Sequence, residues 1–201
     1  MRLFLIRHPR PDVAEGVCYG QSDVGLAEDA AAVAARLQPL LPDAPVFSSP
    51  LSRCRLLAES LHPAPVCDVR LRELYFGDWE MRTWDEIGHP AVDAWVADPL
   101  HYAGHGGESV SALRRRAAAC AAEIAAQHET AVLVVHAGVM KALAVELLGL
   151  ADPAWFSTSF AFGTVSLIED GRLVWHNASA AADIPKREAE LVGRPSGRQN
   201  K

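Results

Sequence analysis

The chain has 201 residues, half of them hydrophobic and 22% charged, enough to bury one sizeable core and too evenly mixed for a collagen, a coiled coil or a disordered polymer. A formal net charge of -6 argues against a nucleic-acid partner, because such binding draws its affinity from Lys and Arg on phosphates. No run approaches the roughly 20 apolar residues of a membrane span, and residues 1–6 are too short for a secretory leader, so no membrane association and a cytoplasmic setting are expected.

In chain order, residues 3–6 are a continuous apolar run, the mark of a strand buried on both faces, and they end at Arg7 and His8. An irregular segment, 9–26, leads to a predicted helix over 28–41. Residues 44–47 predict a second strand, after which Ser49 or Pro50 opens a helix over 51–61. A second irregular region, 74–107, holds Gly, Pro, aromatic residues and mixed charge, and precedes a helix over 110–127. Residues 131–135 repeat the buried-strand pattern and deliver His136 to a helix over 139–148. Residues 164–168 and 173–175 flank Asp170-Gly171, a hairpin signature with a type I′ turn.

Strands alternating with helices predict an α/β fold, a three-layer α/β/α sandwich on a mostly parallel sheet with the hairpin at an antiparallel edge. One domain over residues 1–177 is expected, followed by a polar tail, 178–201, without periodicity and loosely held. Cys18, Cys54, Cys67 and Cys120 are scattered without a CxxC pair, so they indicate neither a zinc site nor a disulfide framework.

Ligands of open α/β sheets bind outside the carboxyl ends of the strands, where Arg7-His8 and His136 both lie. Ala137-Gly138 then turns into a helix whose N-terminus favours anions. Arg53 falls in the first turn of the 51–61 helix, where its guanidinium can clamp phosphate oxygens bidentately, whereas Arg55 faces solvent. Glu73 is a carboxylate among apolar and aromatic neighbours, an environment that can raise its pKa towards that of a proton donor. Asp78 and Glu80 are read as caps of a short helix over 83–87, and Ser109 or Glu108 as the cap of the 110–127 helix, with Gly106 and Gly107 letting backbone approach a ligand. Trp79, Trp84, Trp95 and Tyr102 either line a pocket for a flat organic group or pack as core.

Four motifs in one order, Leu5-Ile6-Arg7-His8, Ser49-Pro50-Leu51-Ser52-Arg53, Glu73 ahead of Phe76-Gly77-Asp78-Trp79-Glu80, and Val135-His136-Ala137-Gly138, resemble the histidine phosphatase superfamily, also called phosphoglycerate mutase-like. That resemblance implies a phosphomonoesterase in which His8 becomes phosphohistidine, Arg7, Arg53 and His136 hold the phosphoryl oxygens, and Glu73 is the acid. No metal or other cofactor is expected, since the cationic groups can stabilise the transferring phosphoryl themselves. Pro9, Ala137 and Met81 stand where the superfamily usually has glycine; Pro9 has no N–H to offer a phosphate.

Arg7-His8-Pro9-Arg10-Pro11, followed by Cys18-Tyr19-Gly20-Gln21-Ser22-Asp23, is similar to the α-ribazole phosphatase branch, which acts in cobalamin assembly. The implied partner is a small phosphomonoester, α-ribazole 5′-phosphate, with Gln21, Ser22 and Glu108 as substrate contacts. Two alternatives stay open at this point: a phosphoglycerate mutase-type phosphoryl transferase, for which the region 73–107 offers little room for a lid, and a non-catalytic phosphate- or phosphopeptide-binding module. A homodimer is likewise left open.

Overall fold

A computed structural model describes residues 1–152 and 154–184. In chain order the elements are β1 (Arg2–Arg7), β2 (Val17–Cys18), α1 (Ala30–Leu37), β3 (Val46–Ser48), α2 (Ser52–Leu61), β4 (Val66–Cys67), β5 (Arg82–Thr83), α3 (Trp84–Ile87), α4 (His89–Ala97), α5 (Val110–Gln127), β6 (Thr130–Val135), α6 (Ala137–Leu148), α7 (Ala154–Ser157), β7 (Val165–Glu169) and β8 (Arg172–Ala178). Six strands form one sheet in the order β4-β3-β6-β1-β7-β8, and β2 pairs with β5 in a separate ribbon. The contacts β3 to β4, β3 to β6 and β1 to β6 are parallel, whereas β7 lies antiparallel to both β1 and β8.

The apolar runs in β1 and β6 follow from the layering. Alternate side chains leave a strand on opposite faces, and here both faces are covered. Leu3, Leu5, Leu133 and Val135 pack beneath α5 and α6 with Leu113, Val139 and Leu143. Phe4, Ile6, Val132 and Val134 pack against α1 and α2 with Leu37, Leu57 and Trp175. At the edge hairpin Asp170 and Gly171 both have positive φ, 47° and 74°, as a type I′ turn requires. The amino group of Met1 pairs with Asp170 at 2.8 Å.

Several boundaries differ from the sequence reading, each for a local reason. The 28–41 helix shortens to α1 because Asp29 caps it through Ala31 N, and Pro39 then starts a 3₁₀ turn over Gln38–Leu40. Helix α2 begins at Ser52, not at Ser49 or Pro50; its first turn is held from a distance by Asp23 Oδ1, which accepts from Ser52 N and Oγ at 2.8 and 2.7 Å. Asp78 and Glu80 do not cap the short helix α3, because Thr83 and Glu86 form a capping box there. Ser109, not Glu108, caps α5. Helix α6 starts directly after His136, two residues earlier than the periodicity indicates.

Of the tail, residues 178–184 are described: Asp183 gathers Ser179 N, Ser179 Oγ and Ala180 N, and Ile184 packs into the α1/α2 side of the core. The expectation for 185–201 lies outside the described residues.

Candidate active site

The register of the parallel strands builds the centre of the site. Arg7 pairs with Val135, so the next residues along each strand, His8 and His136, emerge side by side at the carboxyl edge of the sheet. Their ring centroids lie 5.1 Å apart, and the side chains are 1% and 0% exposed. His8 Nδ1 lies 2.7 Å from the Pro9 carbonyl oxygen. A carbonyl only accepts, so Nδ1 carries the proton and the Nε2 lone pair is free. Pro9 therefore acts through its C=O, and its missing N–H leaves this bond intact. His136 Nε2 meets Ser49 Oγ at 2.8 Å, with Cys54 Sγ 3.4 Å from the same nitrogen.

Two guanidiniums flank the imidazoles. Arg53, fully buried, donates from Nη1 to Ser22 O at 2.8 Å and from Nη2 to Gly20 O at 2.6 Å, with Cζ 5.2 Å from the Tyr19 ring centroid. Arg7 donates to Phe160 O at 2.6 Å, hydrogen-bonds Tyr19 and rests 3.5 Å over the Phe162 ring. The Nε–H of each arginine is buried and has no partner among the described residues.

Burial above all, then the charges of Arg53 and Arg7, holds His8 well below the ordinary histidine range, although its Pro9 bond pulls the other way. Burial followed by Arg53, His8, Arg116 and Arg7 does the same to His136. Burial also lowers Arg7, against the opposing pull of Tyr19 and Glu73. Both rings are thus neutral at neutral pH beside a cationic pair, an arrangement that attracts an anion and leaves a nucleophilic nitrogen available.

Glu73 reaches the same place from the loop after β4. Its Oε2 accepts from Gly138 N at 3.1 Å and its Oε1 from Leu74 N at 2.9 Å. A Cβ on Gly138 would overlap the Glu73 carboxylate, so the α6 N-terminus needs glycine for this approach. Arg116, which the sequence gives no reason to single out, threads the loop: Nη1 donates to Arg70 O and Arg72 O at 2.7 and 2.6 Å, and Nη2 to Glu73 O at 2.8 Å. Lys141, also unforeseen, is lowered by burial and sits close enough to sense the charges of Glu73 and Arg7.

His8, His136, Arg7, Arg53 and Glu73 are therefore brought together. The side chains expected as substrate contacts make bonds within the scaffold: Gln21 Nε2 donates to Glu73 O at 2.9 Å, Ser22 Oγ donates to Glu80 Oε2 at 2.6 Å, and Glu108 pairs with Arg116 and accepts from Tyr75 N. Gly107 packs against the Tyr75 carbonyl and Gly77 N, so its missing Cβ makes room for backbone and not for a ligand. Trp79, Trp84, Trp95 and Tyr102 pack around Phe76 and His105 as an aromatic cluster, and Phe76 lies 5.8 Å from Trp95 between centroids. An open cavity of about 730 Å³ beside Arg7 is instead walled by Pro11, Val13, Val17, Tyr19 and Phe162, with Arg10 and Glu15 also lining it. Among the described residues no three His, Cys, Asp or Glu side chains gather into a metal cage, and no helix is long and apolar enough to cross a membrane.

A family model for the histidine phosphatase superfamily (branch 1) matches residues 3–178. The chain belongs to that superfamily. Among curated relatives of this histidine phosphatase, the glucosyl-3-phosphoglycerate phosphatase of Mycolicibacterium vanbaalenii is 33% identical over 178 residues, covering 77% of each chain. The adenosylcobalamin/α-ribazole phosphatase of Salmonella typhimurium is 31% identical over 161 residues, 74% of this chain and 80% of that one. In three dimensions a mycobacterial glucosyl-3-phosphoglycerate phosphatase superposes with a TM-score of 0.77 at 30% identity, over 89% of this chain and 99% of its own. The α-ribazole phosphatase of Shigella flexneri gives 0.78 at 27% identity, over 90% and 98%.

These relatives are phosphatases, and this histidine phosphatase is one as well. Met81, where the superfamily usually carries glycine, has φ 63° and so occupies the left-handed region that glycine enters without strain.

Proposed function

We propose that the chain hydrolyses a small phosphomonoester by passing the phosphoryl group to His8 and then to water, and that the ester is α-ribazole 5′-phosphate. The observation that carries the reaction is the pair of buried Nε–H groups of Arg7 and Arg53, without a partner among the described residues, beside two neutral imidazoles. A buried donor left unsatisfied costs about 1–3 kcal/mol, and a phosphoryl group with its equatorial oxygens would satisfy both.

In this reading His8 Nε2 attacks phosphorus while the P–O bond to the alcohol breaks, and Glu73 gives its proton to the departing oxygen. Water then attacks the phosphohistidine, Glu73 takes the water proton, and the N–P bond electrons return to Nε2 as inorganic phosphate leaves. Arg7, Arg53 and His136 stabilise the charge on the equatorial oxygens, the task a metal performs in other phosphoryl-transfer sites, so activity is expected to persist in chelator.

The nucleotide reading is supported by the cavity beside Arg7, whose walls are mainly apolar and aromatic. Such walls suit a flat benzimidazole. A glucosyl-glycerate group would need many hydrogen-bond donors and a cation for its carboxylate, and Arg10, the second arginine there, is already within 3.8 Å of Glu28.

Two measurements test the proposal. Acid-quenched labelling should trap an acid-labile phosphate on the wild type and none on His8→Ala; label retained by His8→Ala would refute the nucleophile. In a panel of α-ribazole 5′-phosphate, glucosyl-3-phosphoglycerate and 3-phosphoglycerate, the first should have the highest kcat/KM, and a lead for either glycerate ester would overturn the substrate.

A further inference from the structure

Glu80 was read from sequence as a helix cap, and the structure gives its carboxylate other work. Oε1 accepts from Gln21 N at 2.7 Å and from Phe76 N at 3.1 Å, while Oε2 accepts from Ser22 Oγ at 2.6 Å. These donors belong to the two irregular segments of the chain. Among the described residues Glu80 forms no ion pair, so its charge is spent on neutral N–H and O–H groups, where charge-assisted bonds are about twice as strong as neutral ones.

Two of the three ties, those to Gln21 and Ser22, lead on to Glu73 and Arg53 through a single further bond within the same residue's reach. The 20–23 turn that Glu80 pins supplies the carbonyls of Gly20 and Ser22 that aim the Arg53 guanidinium. Asp23, in the same turn, holds Ser52 at the start of the helix carrying Arg53. Gln21 bridges the other way: its backbone N–H goes to Glu80, and its side-chain amide donates to the carbonyl of Glu73. Gly20 is a close-approach glycine, because an added Cβ would overlap Glu80 Oε1 and crowd Leu74 O.

We propose that Glu80 is a positioning residue that registers the Arg53 phosphoryl clamp against the Glu73 acid by clasping the 20–23 turn to the 73–80 loop. The inference rests on the assignment of Arg53 to the phosphoryl group and of Glu73 to the leaving oxygen. A side chain from helix α2 and one from the 73–80 loop must be held to a fraction of an ångström for an in-line displacement, and misplacement by about 1 Å can cost on the order of 100-fold in rate. A carboxylate that grips both loops at once supplies that constraint without touching the substrate.

The test compares Glu80→Ala and Glu80→Gln with the wild type in three readouts: inhibition by orthovanadate, which reports the clamp; kcat on p-nitrophenyl phosphate against an alkyl phosphate, which reports the acid; and thermal unfolding. Glu80→Ala should lose about 100-fold in kcat/KM. It should also weaken vanadate inhibition about tenfold and widen the gap between the good and poor leaving groups about tenfold. Glu80→Gln keeps a carbonyl oxygen for Gln21 N and Phe76 N, and its amide can donate to Ser22 Oγ, so it should recover both ratios to within a few-fold.

Wild-type vanadate affinity and an unchanged leaving-group gap in folded Glu80→Ala would overturn the proposal, as would a Glu80→Gln as impaired as the alanine variant. Should Glu80→Ala not fold, Ser22→Ala should weaken vanadate alone and Gln21→Ala should widen the leaving-group gap alone; normal values in both would again overturn it. A wild type that hydrolyses neither ester would instead refute the underlying assignment, whereas an active wild type beside a normal alanine variant refutes only the role of Glu80.

Discussion

His8 and His136 are 1% and 0% exposed, face each other at 5.1 Å and share two arginine neighbours, so the fold tolerates them only as neutral rings. Burial first, and then Arg53 and the neighbouring cations, holds both well below the ordinary value of about 6.5. In the unfolded chain each takes up a proton near that value. Above it both states are neutral and stability is complete; below it the unfolded state binds one more proton per ring, so stability falls with pH until the depressed folded value is reached. Each ring then raises the unfolding constant tenfold per pH unit, which integrates to about 2 kcal/mol between pH 7 and pH 5, or about 4 kcal/mol for the pair. Against a typical total of about 5–15 kcal/mol, that is a large share.

The assay is urea unfolding followed by circular dichroism at pH 7, 6 and 5, on the wild type, His8→Gln and His136→Gln. Carboxylates common to all three chains cancel in the difference. Each variant should lose about 2 kcal/mol less than the wild type across that range. Parallel stability profiles for the three proteins would refute the claim that these imidazoles are buried neutral.

Three further outcomes follow from individual contacts. Gly138→Ala places a methyl on the Glu73 carboxylate and against Leu113, and should slow alkyl phosphates by roughly 10- to 100-fold while sparing vanadate inhibition; equal loss in both would show the damage lies elsewhere. Met81→Gly removes a left-handed strain of about 1–2 kcal/mol and gives back about 0.5–1 kcal/mol in unfolded-state entropy, so the net gain in urea unfolding should be between about 0 and about 1.5 kcal/mol, and a loss would contradict it. Trp175→Ala empties a site 2% exposed and edge-on to Phe4 at 5.5 Å; the expected cost is about 3–5 kcal/mol, and a shift under about 1 kcal/mol would show that the core has refilled.

Local chemistry was enough for the parts of this protein that depend on near neighbours in the chain. The runs 3–6 and 131–135 predict strands covered on both faces because each buried side of a strand requires apolar residues, and the hairpin follows from the positive φ that Asp170-Gly171 accommodates. A residue placed just past such a strand lies at the carboxyl edge of the sheet, which is why His8 and His136 were legible as partners. The bonds that Gln21, Ser22 and Glu108 make, and the roles of Glu80, Arg116 and Phe162, went unseen for a common physical reason: irregular loops carry no periodicity, so nothing in the order of residues says which distant carbonyl or N–H a side chain will reach.

The amino-acid order by itself determined the layered α/β architecture and the two imidazoles delivered to one edge, since both follow from hydrophobic alternation and strand direction. Only the tertiary structure decided how the loops 20–23 and 73–80 lock together around Arg53 and Glu73, because that closure depends on hydrogen bonds between groups 31 to 59 positions apart.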